Sequence, residues 1–342
     1  MTVNRQDTGK DFRELIGRHQ GLFGFGVAKA SDAARAEETG AECIYAGGYS
    51  IALAKMMPDL GQMNMVEIIQ EIKAITRAVS VPVIADIDDG YGNALNVIRT
   101  VSEFFGQEIL DVTTMPWSVR RLAGIHIEDQ PFPKRCGHIA GKEIVPVETM
   151  VGKIRAANDV RNALYPSGVI IARTDSYNSE IEGSLEEAAS RILRYADAGA
   201  DLGWCEMNTT ELGPIIELAA FIKRRNSNLP LAFNYSPSLK WHKEKNPMTF
   251  EELNELGYKF IFITIAAEHA SSMAISDYMR ALKETGAEAL WEMQRAKVGH
   301  ATESHHKMAR VDKWQELAKK YVPGESERIS KSDGGFGSKD NK

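Results

Sequence analysis

Short, near-continuous apolar runs alternate along this chain with longer stretches whose apolar residues recur every three or four positions. Eight such runs stand out, at 22–28, 43–49, 82–88, 124–129, 169–176, 202–207, 231–237 and 260–266. Few of them alternate polar with apolar, as a half-exposed strand would. Runs of this kind suit parallel strands covered by helices. The intervening stretches carry helix signals. In 184–199, Ser184 and Glu187 have capping-box spacing, Leu185, Ala188, Ile192 and Ala196 share one face, and Gly199 ends the pattern. Thr249, Glu252 and Gly257 repeat the device. An open doubly wound sheet has the same local pattern. Eight β units with helices between them favour an α/β fold of the (β/α)8 TIM-barrel type.

Three stretches fall outside the repeat. Residues 108–123 intervene before the fourth run, 287–322 are helical by pattern, and 323–342 are polar and rich in Gly and Ser. The expected organisation is a barrel catalytic domain over 1–286, a C-terminal helical extension over 287–322 and a disordered tail over 323–342. At 342 residues and 43% apolar, the chain has ample core for one large domain. A net charge of −6 gives no general case for a nucleic-acid partner. No apolar run approaches 18 residues, so no membrane span is expected. The polar opening residues do not resemble a signal peptide. Cys43, Cys136 and Cys205 are odd in number and far apart. That pattern fits a reducing cytoplasm better than a disulfide framework, and without paired C-x-x-C motifs a structural zinc is not expected.

Polar residues collect at one end of the runs. Tyr45, Gly47, Gly48 and Tyr49 close the second, Asp86 and Asp88 the third, and His126, Glu128 and Asp129 the fourth. Arg173, Thr174 and Asp175 close the fifth and Glu206 the sixth. Asn234, Ser236 and Ser238 follow the seventh, and Thr264 lies near the end of the eighth. Barrel enzymes build their sites at the C-terminal ends of the strands, so these residues read as the walls of one site. Asp86, Asp88, Glu128 and Glu206 would repel one another there. Mg2+, with Mn2+ as a substitute, relieves such crowding. For any one of them, capping a helix or pairing with Arg173 is the alternative. The run 86–92 lacks the ligand spacing and closing glutamate of an EF-hand.

Residues 134–138 read KRCGH. Lys134 and Arg135 precede Cys136 and His138 follows it, and nearby cations favour a thiolate. Cys136 is therefore expected to ionise easily and to serve as nucleophile, base or acid. Gly137 and Gly141 predict a mobile loop able to close as a lid. Cys43 and Cys205 sit inside apolar runs and are expected to be buried. His126, beside Glu128, suits either a packed, hydrogen-bonded role or contact with a ligand.

KRCGH, preceded by IEDQ (127–130) and followed by IARTD (171–175), WCE (204–206) and NYSPSLKW (234–241), resembles the isocitrate lyase/phosphoenolpyruvate mutase superfamily. The likeness runs from about residue 22 to 285. It implies a (β/α)8 barrel, Mg2+, and cleavage of a C–C bond in a hydroxylated tricarboxylate. Isocitrate would give glyoxylate and succinate, the glyoxylate-cycle reaction. The near alternative is 2-methylisocitrate, giving pyruvate and succinate, and a further one is another oxo-acid lyase or hydrolase of the group. By resemblance Tyr45, made more acidic by the cation, takes the hydroxyl proton, and Cys136 protonates the succinate carbon. Lys134 and Arg135 would tune the thiol. Arg173 and His138 would hold substrate carboxylates, with Asn234, Ser236, Ser238 and Thr264 around the succinate half. Gly47, Gly48 and Tyr49 would offer backbone N–H groups to the glyoxylate half. His126, Gly137, Trp204 and Glu206 complete the expected substrate site. Asp59, Asp86, Asp88 and Glu128 match the acidic metal shell, with Asp86 as the direct ligand. Phe262 and Thr264 favour isocitrate. Gly47 and Tyr49 depart from the serine and tryptophan usual in isocitrate lyases, and the tail after the barrel is poorly kept. Terminal helices swapped between subunits, with 289–299 as the candidate, and a homotetramer are implied by resemblance alone.

Overall fold

The computed structural model describes residues 3–114, 116–179 and 183–330. Eight strands form a closed barrel: β1 (Leu22–Val27), β2 (Ile44–Ala46), β3 (Val83–Asp86), β4 (Gly124–Glu128), β5 (Val169–Thr174), β6 (Leu202–Cys205), β7 (Leu231–Asn234) and β8 (Tyr258–Ile263). They follow chain order around the ring and every neighbouring pair is parallel. All eight expected strands are present, and helices separate them.

Most of the apolar runs outlast their strands at the C-terminal end. The second run continues to residue 49, but β2 stops at Ala46 and a helix begins at Gly48 (Gly48–Ala54). Asp86 explains the early turn. Its Oδ2 accepts the Gly48 N–H at 3.0 Å, which places a carboxylate at the helix N-terminus. The predicted helix caps hold as well. Ser184 Oγ accepts from Glu187 N at the start of Leu185–Asp197. Thr249 and Glu252 cap Phe250–Leu256 reciprocally, and Gly257 ends it in the left-handed region at φ 111°.

The barrel interior is aromatic at the level of the site. Tyr45 stacks on Phe262 with centroids 4.1 Å apart, and Trp204 meets Phe262 edge-on at 5.0 Å. Phe12, from helix Thr8–Ile16, packs edge-on against Phe260. These rings form an apolar floor beneath the charged rim. Strand register sets the rim itself, pairing Asp86 with His126 and Glu128 with Arg173.

The unassigned stretch 108–123 supplies two strands, Ile109–Asp111 and Ser118–Arg120, to a three-stranded sheet completed by Asn4–Arg5. The chain divides into two compact units. One holds the barrel over 5–110 and 119–270; the other gathers the amino terminus, 111–118 and the chain from Ser271 onward. Helices Ala287–Lys297, His305–Met308 and Val311–Tyr321 occupy 287–322. Of the tail expected to be disordered, Glu325–Ser330 is helical, and 331–342 lie outside the described residues. Among the described residues no helix is long and apolar enough to cross a membrane.

Candidate active site

A cavity opens at the C-terminal ends of the barrel strands. Tyr45, Tyr49, Asp59, Asp86 and Lys134 line one side. Cys136, Gly137 and His138 of the 134–138 loop, with Arg173, Trp204 and Glu206, line the middle. Asn234, Ser236, Ser238 and Thr264 complete the lining. Asp88, His126 and Glu128 lie behind this surface, buried, within ion-pair distance of lining residues.

Asp86 is the best-satisfied carboxylate of the acidic side. Besides Gly48 it accepts the Asp88 N–H at 2.9 Å, and His126 Nδ1 lies 3.3 Å away. Burial pulls its pKa up, but His126, Lys134 and the two N–H donors outweigh burial and hold it below the ordinary range. Asp88 fares differently. Its backbone sits at φ 49°, an uncommon conformation for a residue with a side chain. Burial, with Asp86, Asp59 and Glu128 nearby, pushes Asp88 up to about 8 in spite of Lys134. Burial also raises Glu128, against the pull of Arg173, whose Nη1 is 3.2 Å from Glu128 Oε2. Glu206 is held low: burial acts against it, but Arg173 and His138 prevail, His138 Nε2 lying 3.1 Å from Oε1. Thr264 Oγ1 donates to Asn234 Oδ1 at 3.1 Å, and Asn234 Nδ2 donates to Glu206 at 3.3 Å.

The thiol overturns one expectation. Cys136 is 7% exposed, and burial, reinforced by Asp59, pushes it up to about 11. Lys134 pulls it down, but burial outweighs that pull. Lys134 Nζ is engaged by Asp59 at 2.5 Å and Asp88 at 3.0 Å. Arg135 is exposed and lines a different cavity, with Pro131, Phe132 and Glu143. Tyr45 shifts the same way: burial first, then Asp86, raise its phenol well above the ordinary value. Its Oη lies 3.1 Å from His126 Nδ1. The expected donor role of Gly48 also changes, because its N–H faces Asp86. Gly137 is sterically required: a Cβ there would sit 2.4 Å from Arg173 Nη2 and 2.8 Å from Glu206 Cγ. A glycine lets the cysteine loop lie directly on those two side chains.

The phosphoenolpyruvate phosphomutase family profile matches residues 28–285. The chain belongs to the isocitrate lyase/phosphoenolpyruvate mutase superfamily. An isocitrate lyase of Haloferax volcanii is 37% identical over 95% of this chain and 90% of its own length. A 2-methylisocitrate lyase of Aeropyrum pernix is 35% identical over 81% of this chain and 80% of its own. The solved complex of a phosphonopyruvate hydrolase with oxalate and Mg2+ shares the fold, with a TM-score of 0.74 at 23% identity over 93% of this chain and 100% of that one.

The residues of this superfamily barrel fit a hydrated divalent cation. Both Glu128 carboxylate oxygens, Glu206 Oε2 and Asp88 Oδ1 are buried without a hydrogen-bond partner, although Arg173 and Lys134 stand at ion-pair distance from Glu128 Oε2 and Asp88 Oδ1. Such groups call for a cation or ordered water. Among the described residues no three His, Cys, Asp or Glu side chains are grouped to hold an ion on their own. Mg2+ is commonly held by one or two carboxylates, with waters and substrate completing its shell. Pro237 and Ile265 in the lining, and Gln130 and Lys142 beside Asp175, were not singled out from the sequence. Asp175 carried a signal, its place at a polar strand end. Lys142 carried only its nearness to the cysteine.

Proposed function

We propose that this superfamily lyase cleaves isocitrate to glyoxylate and succinate. The observation that carries the reading is a buried thiol kept protonated between a carboxylate-lined wall and a neutral, hydroxyl-lined wall of one cavity. Asp86, with Asp59, Asp88 and Glu128, would hold the cation, Mg2+ or Mn2+, on the side of the α-hydroxy-carboxylate half. When bound, that ion supplies Lewis-acid polarisation of the hydroxyl oxygen and of the carbonyl that replaces it.

The chain's own groups do the rest. Tyr45 takes the hydroxyl proton, and His126, in contact with its Oη, is placed to receive the phenol proton in turn. As the carbonyl forms, the C–C bond breaks and its electron pair moves to the succinate carbon. Cys136 gives that carbon its S–H proton, and a thiol pushed up to about 11 is present as the acid at neutral pH. Arg173 and His138 pair with substrate carboxylate, while Asn234, Ser236, Ser238 and Thr264 offer neutral donors to the succinate half. Trp204, under the Arg173 guanidinium at 4.6 Å, holds that cation in place.

The 2-methylisocitrate reading rests on a relative of nearly equal identity. One extra methyl separates the substrates by about 1–3 kcal/mol, so both are to be assayed. Glyoxylate release from isocitrate is expected to exceed pyruvate release from 2-methylisocitrate. A tenfold or greater preference for the methylated substrate sinks the isocitrate reading. We also place the protein in the cytoplasm as a homotetramer. Exposed Met273, Ile275, Met279 and Trp291 are the kind of surface that subunits cover. Light scattering at a monomer mass contradicts the assembly.

A further inference from the structure

The residues on both sides of Cys136 are gripped through their backbone by side chains that no step above uses. Gln130 holds the preceding residue twice: the Arg135 N–H donates to its Oε1, and its Nε2 donates to the Arg135 carbonyl, each at 2.9 Å. The Gly137 carbonyl accepts from Lys142 Nζ at 2.7 Å and from Asn208 Nδ2 at 2.8 Å. Gln130 and Lys142 are 1% and 3% exposed. A buried ammonium needs a carboxylate partner. Lys142 has Asp175, 3.3 Å away and fully buried. Asp175 also accepts from Gln130 Nε2 at 3.2 Å and from Arg173 Nε and Nη2, each at 2.9 Å. One carboxylate thus joins the cavity's arginine to both grips on the loop.

We propose that Gln130 and Lys142, joined through Asp175, are positioning residues that hold the Cys136 thiol against the substrate carbon. The grips fall on the backbone of the two residues that flank the thiol. The kinetic consequence rests on the lyase reading; the grip itself does not. Misplacing a reacting group by about 1 Å costs roughly 100-fold in rate.

The test uses Gln130→Leu and Lys142→Met in the full chain, with iodoacetamide labelling read per cysteine by peptide mass spectrometry. Cys136 is expected to label at least about tenfold faster than in the parent, with Cys43 and Cys205 protected. Loss of the Lys142 cation would by itself slow thiolate formation, so faster labelling reports exposure. Turnover is expected to fall about 100-fold, with KM within about threefold. Unchanged Cys136 labelling overturns the proposal, and so does faster labelling with undiminished turnover. If all three thiols label, the fold has failed. Asn208→Ala, which removes one neutral donor, then decides by the same two criteria. A parent protein inactive on both isocitrates sinks the lyase reading while labelling still judges the grip.

Discussion

One wall of the cavity, built on β3 to β6, carries Asp86 and Glu206 with Asp88 and Glu128 behind them; the other, built on β7 and β8, carries Asn234, Ser236, Ser238 and Thr264. On the proposed reading the two walls would grip one polyanion by opposite means. The acidic wall gathers Asp86, Asp88, Glu128 and Glu206 around Lys134 and Arg173; burial raises Asp88 and Glu128 there, and for Asp88 the neighbouring carboxylates add to it. That wall is suited to a cation that then binds the substrate. On the proposed reading the neutral wall would meet the substrate directly through hydroxyl and amide donors. Cys136 lies between them and touches neither chemistry with a charge of its own.

The largest test of this division is at its centre. Cys136→Ser is expected to lower turnover by about 1,000-fold, within the range for loss of a general acid, while calorimetry finds Mg2+ binding unchanged. Near-normal turnover refutes the acid role. Next, Asp86→Asn is expected to weaken Mg2+ binding by about 100-fold and to leave succinate affinity within about threefold. Equal loss of both means the walls are not separate.

Titration separates them further. The folded pKa of Asp88, about 8, stands above the unfolded carboxylate value of about 4. The native state therefore holds a proton that the unfolded chain has released. Stability from this group is complete below the unfolded value and is lost as pH rises toward 8. Asp86 and Glu206, held low, act oppositely and only on the acid side. Without added divalent ion, Tm is expected to fall from about pH 5 to 8, and Asp88→Asn to flatten that slope. A slope unchanged in the variant removes Asp88 as its source. The smallest effect belongs to the neutral wall. Thr264→Val removes one donor to Asn234, about 0.5–1.5 kcal/mol, and is expected to weaken succinate binding about two- to tenfold with Mg2+ binding unaltered.

The barrel was readable because eight unbroken apolar runs have few ways to be buried, and the rim because parallel strands in a closed ring all end at one side. Asp86, Glu128, Arg173, Glu206 and Asn234 could be picked on that ground alone. The state of the thiol could not. Lys134 adjoins Cys136 in sequence, yet its ammonium answers Asp59, 75 positions earlier, and Asp88. Arg135 turns to solvent, and the Gly48 N–H that seemed free for substrate is taken by Asp86. Gln130 and Lys142 were missed for the same reason: what they hold is fixed only when the loop folds back over Asp175.

By itself the sequence determined the residue types, their order and the end of the barrel where they collect, because strand burial and chain direction depend on local pattern. Tertiary structure decided which charge meets which, and so which protons are held. Electrostatic energy depends on distance and burial, and neither can be read from spacing along a chain.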